Sequence, residues 1–377
     1  MEPNLSHDTG AAVGNRALRV LVVRIGAMGD VLHAMPAVSA MRELHPEWTI
    51  DWAIEPAWSE LLEIRHGGAR AARDARRPLV DQRILVPTRN WKRRPWTAKT
   101  AREILALRGR LRVGSYDLCV DMQGSIRSAV VGRMAGAEDF VGPAEPREGP
   151  AAWFYRRKVL TTAQHVVEQG CELLGNAIGE ELRPARVALP VDAVAETWCD
   201  GLLSGLGHSF VLVAPTAGWG AKQWPAERYG ALAAALGHSG FRTLVNASSA
   251  EDTVAKRVVE TSDGAASMIP CSVGQMIALV RRAALVVAGD TGPLHLAAAL
   301  ERPVVGLYGP TDPARNGPYG AASYRTRSRV LRHASSVVDH SRHAETEKGL
   351  VEITVDEVVA AALELLGVSE KAGQDKV

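Results

Sequence analysis

Reactive side chains in this sequence gather at glycine-rich turns that follow apolar runs. In Gly26-Ala27-Met28-Gly29-Asp30 a carboxylate stands where a strand would hand over to a helix. At the carboxyl edge of an open α/β sheet it can take a proton as a general base. At a helix start it can equally serve as an N-cap. The turn holds G-x-x-G, short of the full G-x-G-x-x-G dinucleotide fingerprint. Pro215 to Trp224 (PTAGWGAKQW) combines the hydroxyl of Thr216, the glycines Gly218 and Gly220, and the point charge of Lys222. That set suits a phosphate group approached closely by backbone, or it is an irregular surface loop with a solvated lysine. In Gly289-Asp290-Thr291-Gly292-Pro293-Leu294-His295 the proline fits a first helical turn. The free N–H groups there make an anion site for a diphosphate, unless Asp290 or Thr291 caps the helix. His295, one turn in, is either part of that site or packed beside the apolar LHLAAAL run. Glu251 stands where an acid can hold ribose hydroxyls, or where it complements a helix dipole.

The elements that must carry these turns follow one rhythm. Arg19 to Ile25 (RVLVVRI) reads as a buried parallel strand and Val31 to Leu44 as a helix, with Pro36 inside it. Trp48–Glu55 and Ile84–Val86 read as strands, Thr97–Leu111 as a helix and Tyr116–Met122 as a strand leading through Gln123-Gly124 into another helix. After Pro184–Pro190 the rhythm restarts. Phe210–Ala214, Phe241–Asn246, Leu285–Ala288 and Pro303–Tyr308 read as strands. Ala226–Leu236, Glu251–Glu260, Val273–Ala283 and Gly292–Leu300 read as helices between them. The expectation is α/β class, with two Rossmann-like domains facing each other across a cleft. The expected division is a flexible tail 1–17, a first domain 18–190, a second domain 191–350, and a C-terminal helix and tail 351–377 that crosses back to the first domain.

Composition narrows the function classes. The hydrophobic share of 46% and charged share of 23% exclude a disordered or coiled-coil chain. Four scattered cysteines without C-x-x-C argue against a disulfide or zinc framework and for a reduced, cytoplasmic setting. No apolar run reaches membrane-spanning length, and Met1 to Arg16 lacks the apolar core of a secretory signal. His333, His340 and His343 are too loosely spaced for a metal set, and no G-x-S-x-G elbow occurs. No metal or cofactor is expected.

Charge is unevenly spread. From Arg65 to Arg112 there are fifteen Arg and Lys against three acids, a local +12 in a chain of net +2. Such a face meets nucleic acid, an acidic lipid surface or a phosphorylated glycolipid, or it is a solvated helical surface. A nucleic-acid module leaves the anion loops of the second half unexplained.

Taken together, MGDVLHAMPA (Met28–Ala37), PTAGWGAKQWP, GDTGPLHLAAAL and RPVVGLYGPTDP resemble the bacterial lipopolysaccharide heptosyltransferases of glycosyltransferase family nine. REGPAAWFYRRK and the later H-V-V-E (His165–Glu168) look like the heptosyltransferase I branch. The resemblance implies a GT-B architecture and transfer of heptose from ADP-heptose to a Kdo residue of the lipid A inner core. It implies Asp30 as catalytic base and Lys222 as the group that neutralises the departing diphosphate. On the donor side it implies Thr216, Gly218, Glu251, Asp290, Thr291, Gly292 and His295. Kdo carboxylates and lipid A phosphates would meet Arg89, Lys92, Arg93, Arg94, Gln123 and Arg127 at the inner face of the inner membrane, with Trp91 and Trp96 interleaved. Another family member with a different acceptor, or a nucleotide-sugar binding protein without turnover, are the competing readings.

Overall fold

A computed structural model describes residues 16–64, 73–205, 209–320 and 327–368. Most of the expected tail, and the Arg65–Ala72 part of the basic segment, lie outside the described residues.

Two parallel six-stranded sheets form. The first comprises β1 (Arg19–Val23), β2 (Thr49–Ile54), β3 (Gln82–Leu85), β4 (Leu118–Asp121), β5 (Asp139–Pro143) and β6 (Arg157–Val159), in spatial order β3-β2-β1-β4-β5-β6. The second comprises β7 (Phe210–Ala214), β8 (Arg242–Ala247), β9 (Ala266–Pro270), β10 (Leu285–Gly289), β11 (Val304–Tyr308) and β12 (Ser328–Arg332), in order β12-β11-β10-β7-β8-β9. Each has the dinucleotide-fold order, with its switch point between the first and fourth strands. Val22 lies between Trp52 and Val120 in the first sheet, and Val287 between Val213 and Val305 in the second. These central strands are buried on both faces, which explains their unbroken apolar runs.

The Met28–Leu44 helix is buried almost all round, from Val31 to Arg42 without a break. Its neighbour across the chain is the Gly292–Ala299 helix of the second half. One continuous apolar cluster therefore runs from Val22 and Met35 through Leu294 to Val286. Two glycines permit this approach. A Cβ on Gly29 would lie 2.7 Å from His295 Cδ2, and one on Gly292 would lie 2.5 Å from Met28 Sδ.

The C-terminal helix, Val355–Leu366, does not cross to the first half. Val358, Ala361 and Ala362 bury against the Ala226–His238 helix and the second sheet. Trp224 Nε1 donates to Ile353 O at 3.0 Å and anchors the segment that leads into it. An apolar stripe specifies burial but not which core receives it.

Candidate active site

The carboxyl ends of β1 and β4 converge on the Arg24–Asp30 turn. Asp30 is not the N-cap of its helix. Ala27 holds that position, and Asp30 in the first turn accepts the Ala27 N–H at 3.0 Å. Arg24 fixes the carboxylate. Its Nη2 lies 3.1 Å from Asp30 Oδ1, its Nε donates to Asp30 O at 3.1 Å, and its Nη1 donates to Met122 O at the end of β4. Gln123 ties the same two strand ends: Oε1 accepts the Ile25 N–H at 2.8 Å and Nε2 donates to Ser125 Oγ at 3.2 Å. Gln123 thus acts on the turn from behind, through backbone, and Asp30 remains about one-third exposed beside it.

In the second half the uncapped end of the Gly292–Ala299 helix faces this turn. Thr291 is its N-cap residue, but its hydroxyl donates to Gly289 O at 3.2 Å and caps nothing. The first-turn N–H groups keep their capacity for an anion. Asp290 is buried and does not cap either. Lys222 Nζ donates to Asp290 Oδ2, and His295 Nε2 lies 2.8 Å from Oδ1. Burial pushes the Asp290 carboxyl up, but the His295 and Lys222 contacts outweigh it and hold the group ionised, well below the usual carboxylate range. An ionised carboxylate beside an anion site is tolerable because the lysine charge and the histidine hydrogen bond already satisfy it.

The Pro215–Trp224 loop departs from one expectation. Gly218 has open space where a Cβ would sit, whereas a Cβ on Gly220 would overlap Ala344 O at 1.6 Å. Gly220 therefore admits the chain's own 339–347 segment. Ala221 N–H donates to His343 O at 3.1 Å, Glu347 N–H donates to Ala221 O at 3.2 Å, and Thr346 Oγ1 donates to Gln223 O at 2.9 Å. The Trp219 ring lies between Lys222 Nζ at 5.1 Å and the Arg342 guanidinium at 5.6 Å. Thr216 is half-buried at the start of this loop.

Other expected residues fall into two groups. Arg127 Nη1 donates to Thr88 Oγ1 at 3.1 Å, and Thr88 Oγ1 donates to buried Glu55 Oε2 at 2.7 Å. Arg89 packs over the Trp58 ring at 5.1 Å, and that ring abuts Gly26. Arg89 and Arg127 therefore adjoin the Asp30 turn. Lys92, Arg93 and Arg94 are exposed on or just after the short Thr88–Arg93 helix and touch none of these groups. Glu251 is exposed and stands before its helix. Asp252 is the cap, accepting the Ala255 N–H at 3.1 Å.

Two site residues had no visible signal. Arg24 lies inside an apolar run, and His33 lies inside a buried helix. His33 Nε2 is 3.1 Å from His295 Nδ1, across the boundary between the halves. Burial, with His295 and His165 nearby, holds His33 well below the ordinary imidazole range. A cavity of about 710 Å³ between the halves borders His33, His165 and His295, but neither Asp30 nor Lys222. Among the described residues no His, Cys, Asp and Glu cluster is suited to a metal ion, and no helix is long and apolar enough to cross a membrane. The four cysteines are free.

Two Rossmann-like units whose switch points face each other, one with a held carboxylate and one with an uncapped helix end, are the arrangement of the GT-B fold class. The chain belongs to glycosyltransferase family 9 (heptosyltransferase), whose profile matches residues 104–345. It is 32% identical over 307 residues to lipopolysaccharide heptosyltransferase 1 of Salmonella typhimurium, covering 80% of this chain and 92% of that protein. With the Escherichia coli K12 protein of the same name it shares 31% identity, covering 80% and 91%. The solved structure of E. coli heptosyltransferase WaaC with ADP is similar at a TM-score of 0.73 and 27% identity, covering 92% of this chain and all of that one. The fold is GT-B, and the chain is a glycosyltransferase of the heptosyltransferase family.

Proposed function

We propose that this enzyme transfers heptose from ADP-L-glycero-D-manno-heptose to a Kdo residue of the lipopolysaccharide inner core, with inversion and without a metal ion. The observation that carries this reading is the meeting of the Asp30 turn with the uncapped Gly292–Ala299 helix end across the Gly29–His295 and Met28–Gly292 contacts.

In this reading residues 18–190 form the acceptor domain and 191–350 the nucleotide-sugar domain. The acceptor hydroxyl oxygen attacks the anomeric carbon from the face opposite ADP. Its proton passes to the Asp30 carboxylate, and Arg24 holds that carboxylate in place. The bond from the anomeric carbon to the phosphate oxygen breaks, and its electron pair leaves with ADP. Negative charge grows on the diphosphate as this happens. Lys222 and the N–H groups of the Gly292 turn stabilise it, which supplies electrostatically what a metal would otherwise supply. Asp290 with His295 holds heptose hydroxyls, Thr216 and Gly218 line the phosphate side, and Glu251 takes the ribose. Arg89, Arg127 and the exposed Lys92, Arg93 and Arg94 meet the carboxylates and phosphates of the acceptor. Trp96 is 96% exposed and Trp153 is 82% exposed. Beside so many cations they suit peripheral contact with an anionic membrane face in the cytoplasm.

The test is ADP release from ADP-heptose by purified protein, with and without Kdo-lipid A, in EDTA. Acceptor-dependent release that survives EDTA is expected. Asp30→Ala should lower turnover by about 10²–10⁴-fold while ADP affinity stays within about threefold. Release only with an acceptor that already bears one heptose would move the enzyme to a later step. Tight ADP-heptose binding without release on any acceptor would make it a binding protein.

A further inference from the structure

We propose that His33 is a positioning residue for sugar transfer, acting from the first half through His295 on the Asp290–Lys222 pair of the second. The proposal rests on the donor reading above, because it assigns His33 to the same site.

With one proton on each ring, the chain of contacts has one solution. Asp290 is ionised, so both its oxygens only accept. His295 Nε2, at 2.8 Å from Oδ1, must then be the protonated nitrogen. A neutral His295 leaves Nδ1 as an acceptor, and the 3.1 Å contact is His33 Nε2–H donating to it. Both rings are buried, at 8% and 5% exposure. The groups facing His33 are His295, His165, Asp290 and Arg24. Burial, the two neighbouring imidazoles and the Arg24 guanidinium all disfavour a charged His33 and outweigh Asp290, so the neutral ring is the form this site accepts.

Asp290 sets the tautomer of His295, and His33 fixes its ring plane from the other side. Asp290 is held in turn, with Oδ2 turned to Lys222. The bond spans the two halves, joining residues 262 positions apart, so the placing of one half against the other and the alignment of the Asp290–Lys222 pair are linked. An outer partner that orients a histidine controls rate far more than it controls binding.

Two variants of similar polarity separate positioning from packing. The side-chain amide nitrogen of His33→Gln reaches the place of Nε2 and donates there; that of His33→Asn falls short. We expect His33→Asn to lower kcat about tenfold or more, with ADP affinity within about twofold, and His33→Gln to stay within about threefold of the parent. Equal kcat in the two variants overturns the proposal, whether both are active or both impaired. If the parent itself transfers no heptose, the donor reading has failed. The ¹⁵N histidine spectrum then decides the link: the His295 Nδ1 signal should keep its hydrogen-bonded shift in the parent and in His33→Gln, and move toward the free-acceptor value in His33→Asn. An unchanged His295 signal in His33→Asn would sink the inference.

Discussion

Gly29→Ala should separate activity from stability. The added Cβ would sit 2.7 Å from His295 Cδ2, where ordinary contact begins at 3.4 Å. The ring must yield by about 0.7 Å or more, away from the helix that carries His33. That stretches the 3.1 Å His33–His295 bond past hydrogen-bond range. Overpacking of this kind costs about 1–3 kcal/mol. Against it, alanine is the better helix former by up to about 1 kcal/mol. The two partly cancel in global stability, so the thermal midpoint should move by only a few degrees. They do not cancel at the site, where a misplacement approaching 1 Å costs on the order of 10²-fold. Expected is a fall in kcat/KM of about 10–100-fold, measured by coupled ADP release, beside a nearly unchanged melting curve. A kcat/KM within twofold of the parent would refute the claim that this contact positions His295.

Three further outcomes follow from the geometry. Lys222→Met keeps the bulk and removes the charge; turnover should drop about 10²–10³-fold, and the melting point should fall because Asp290 loses one of its two partners, so a fully stable, fully active variant would exclude both roles. His33 binds its proton less readily folded than unfolded, because of burial and the neighbouring His295 and His165. Its share of stability is complete above about pH 6.5 and is lost on acidification below that, at up to about 1.4 kcal/mol per pH unit; urea unfolding at pH 7.5 and 5.5 should show a smaller loss in His33→Gln, and equal losses would refute the assignment. Trp96→Ser should weaken flotation with anionic vesicles, and high salt should abolish it; equal binding to zwitterionic vesicles would remove the charged face from the account.

Sequence made the central strands most visible, and it also showed β3, at an edge, as the short Ile84–Val86 stretch. β1, β7, β10 and β11 are buried on both faces and read as unbroken apolar runs. The strands it left out, β5, β6, β9 and β12, lie at or next to sheet edges and carry Arg, Ser, Gly or Pro. Half-wet edges have no such run. Asp290, Thr291 and Lys222 were legible because strand–glycine–helix turns advertise themselves locally. Arg24 and His33 were not, because their partners Met122 and His295 lie 98 and 262 positions away. Gly220 was legible as a close-approach point but not as to what approaches, which is Ala344, and Gly218 has open space instead.

From Val31 to Arg42 the Met28–Leu44 helix has no wet side, and this bears on how substrates enter. It serves the core of the first half and the seam with the second at once. A gaping hinge would strip that seam, and each large apolar side chain returned to water costs about 1.5–3 kcal/mol. Sliding the helix along its Gly292–Ala299 neighbour keeps the layer dry throughout. An opening that keeps this layer dry is a shear of packed helices rather than a hinge. Two sheets joined by such a layer melt as one calorimetric unit, and neither half cut from the other would stay dispersed in water.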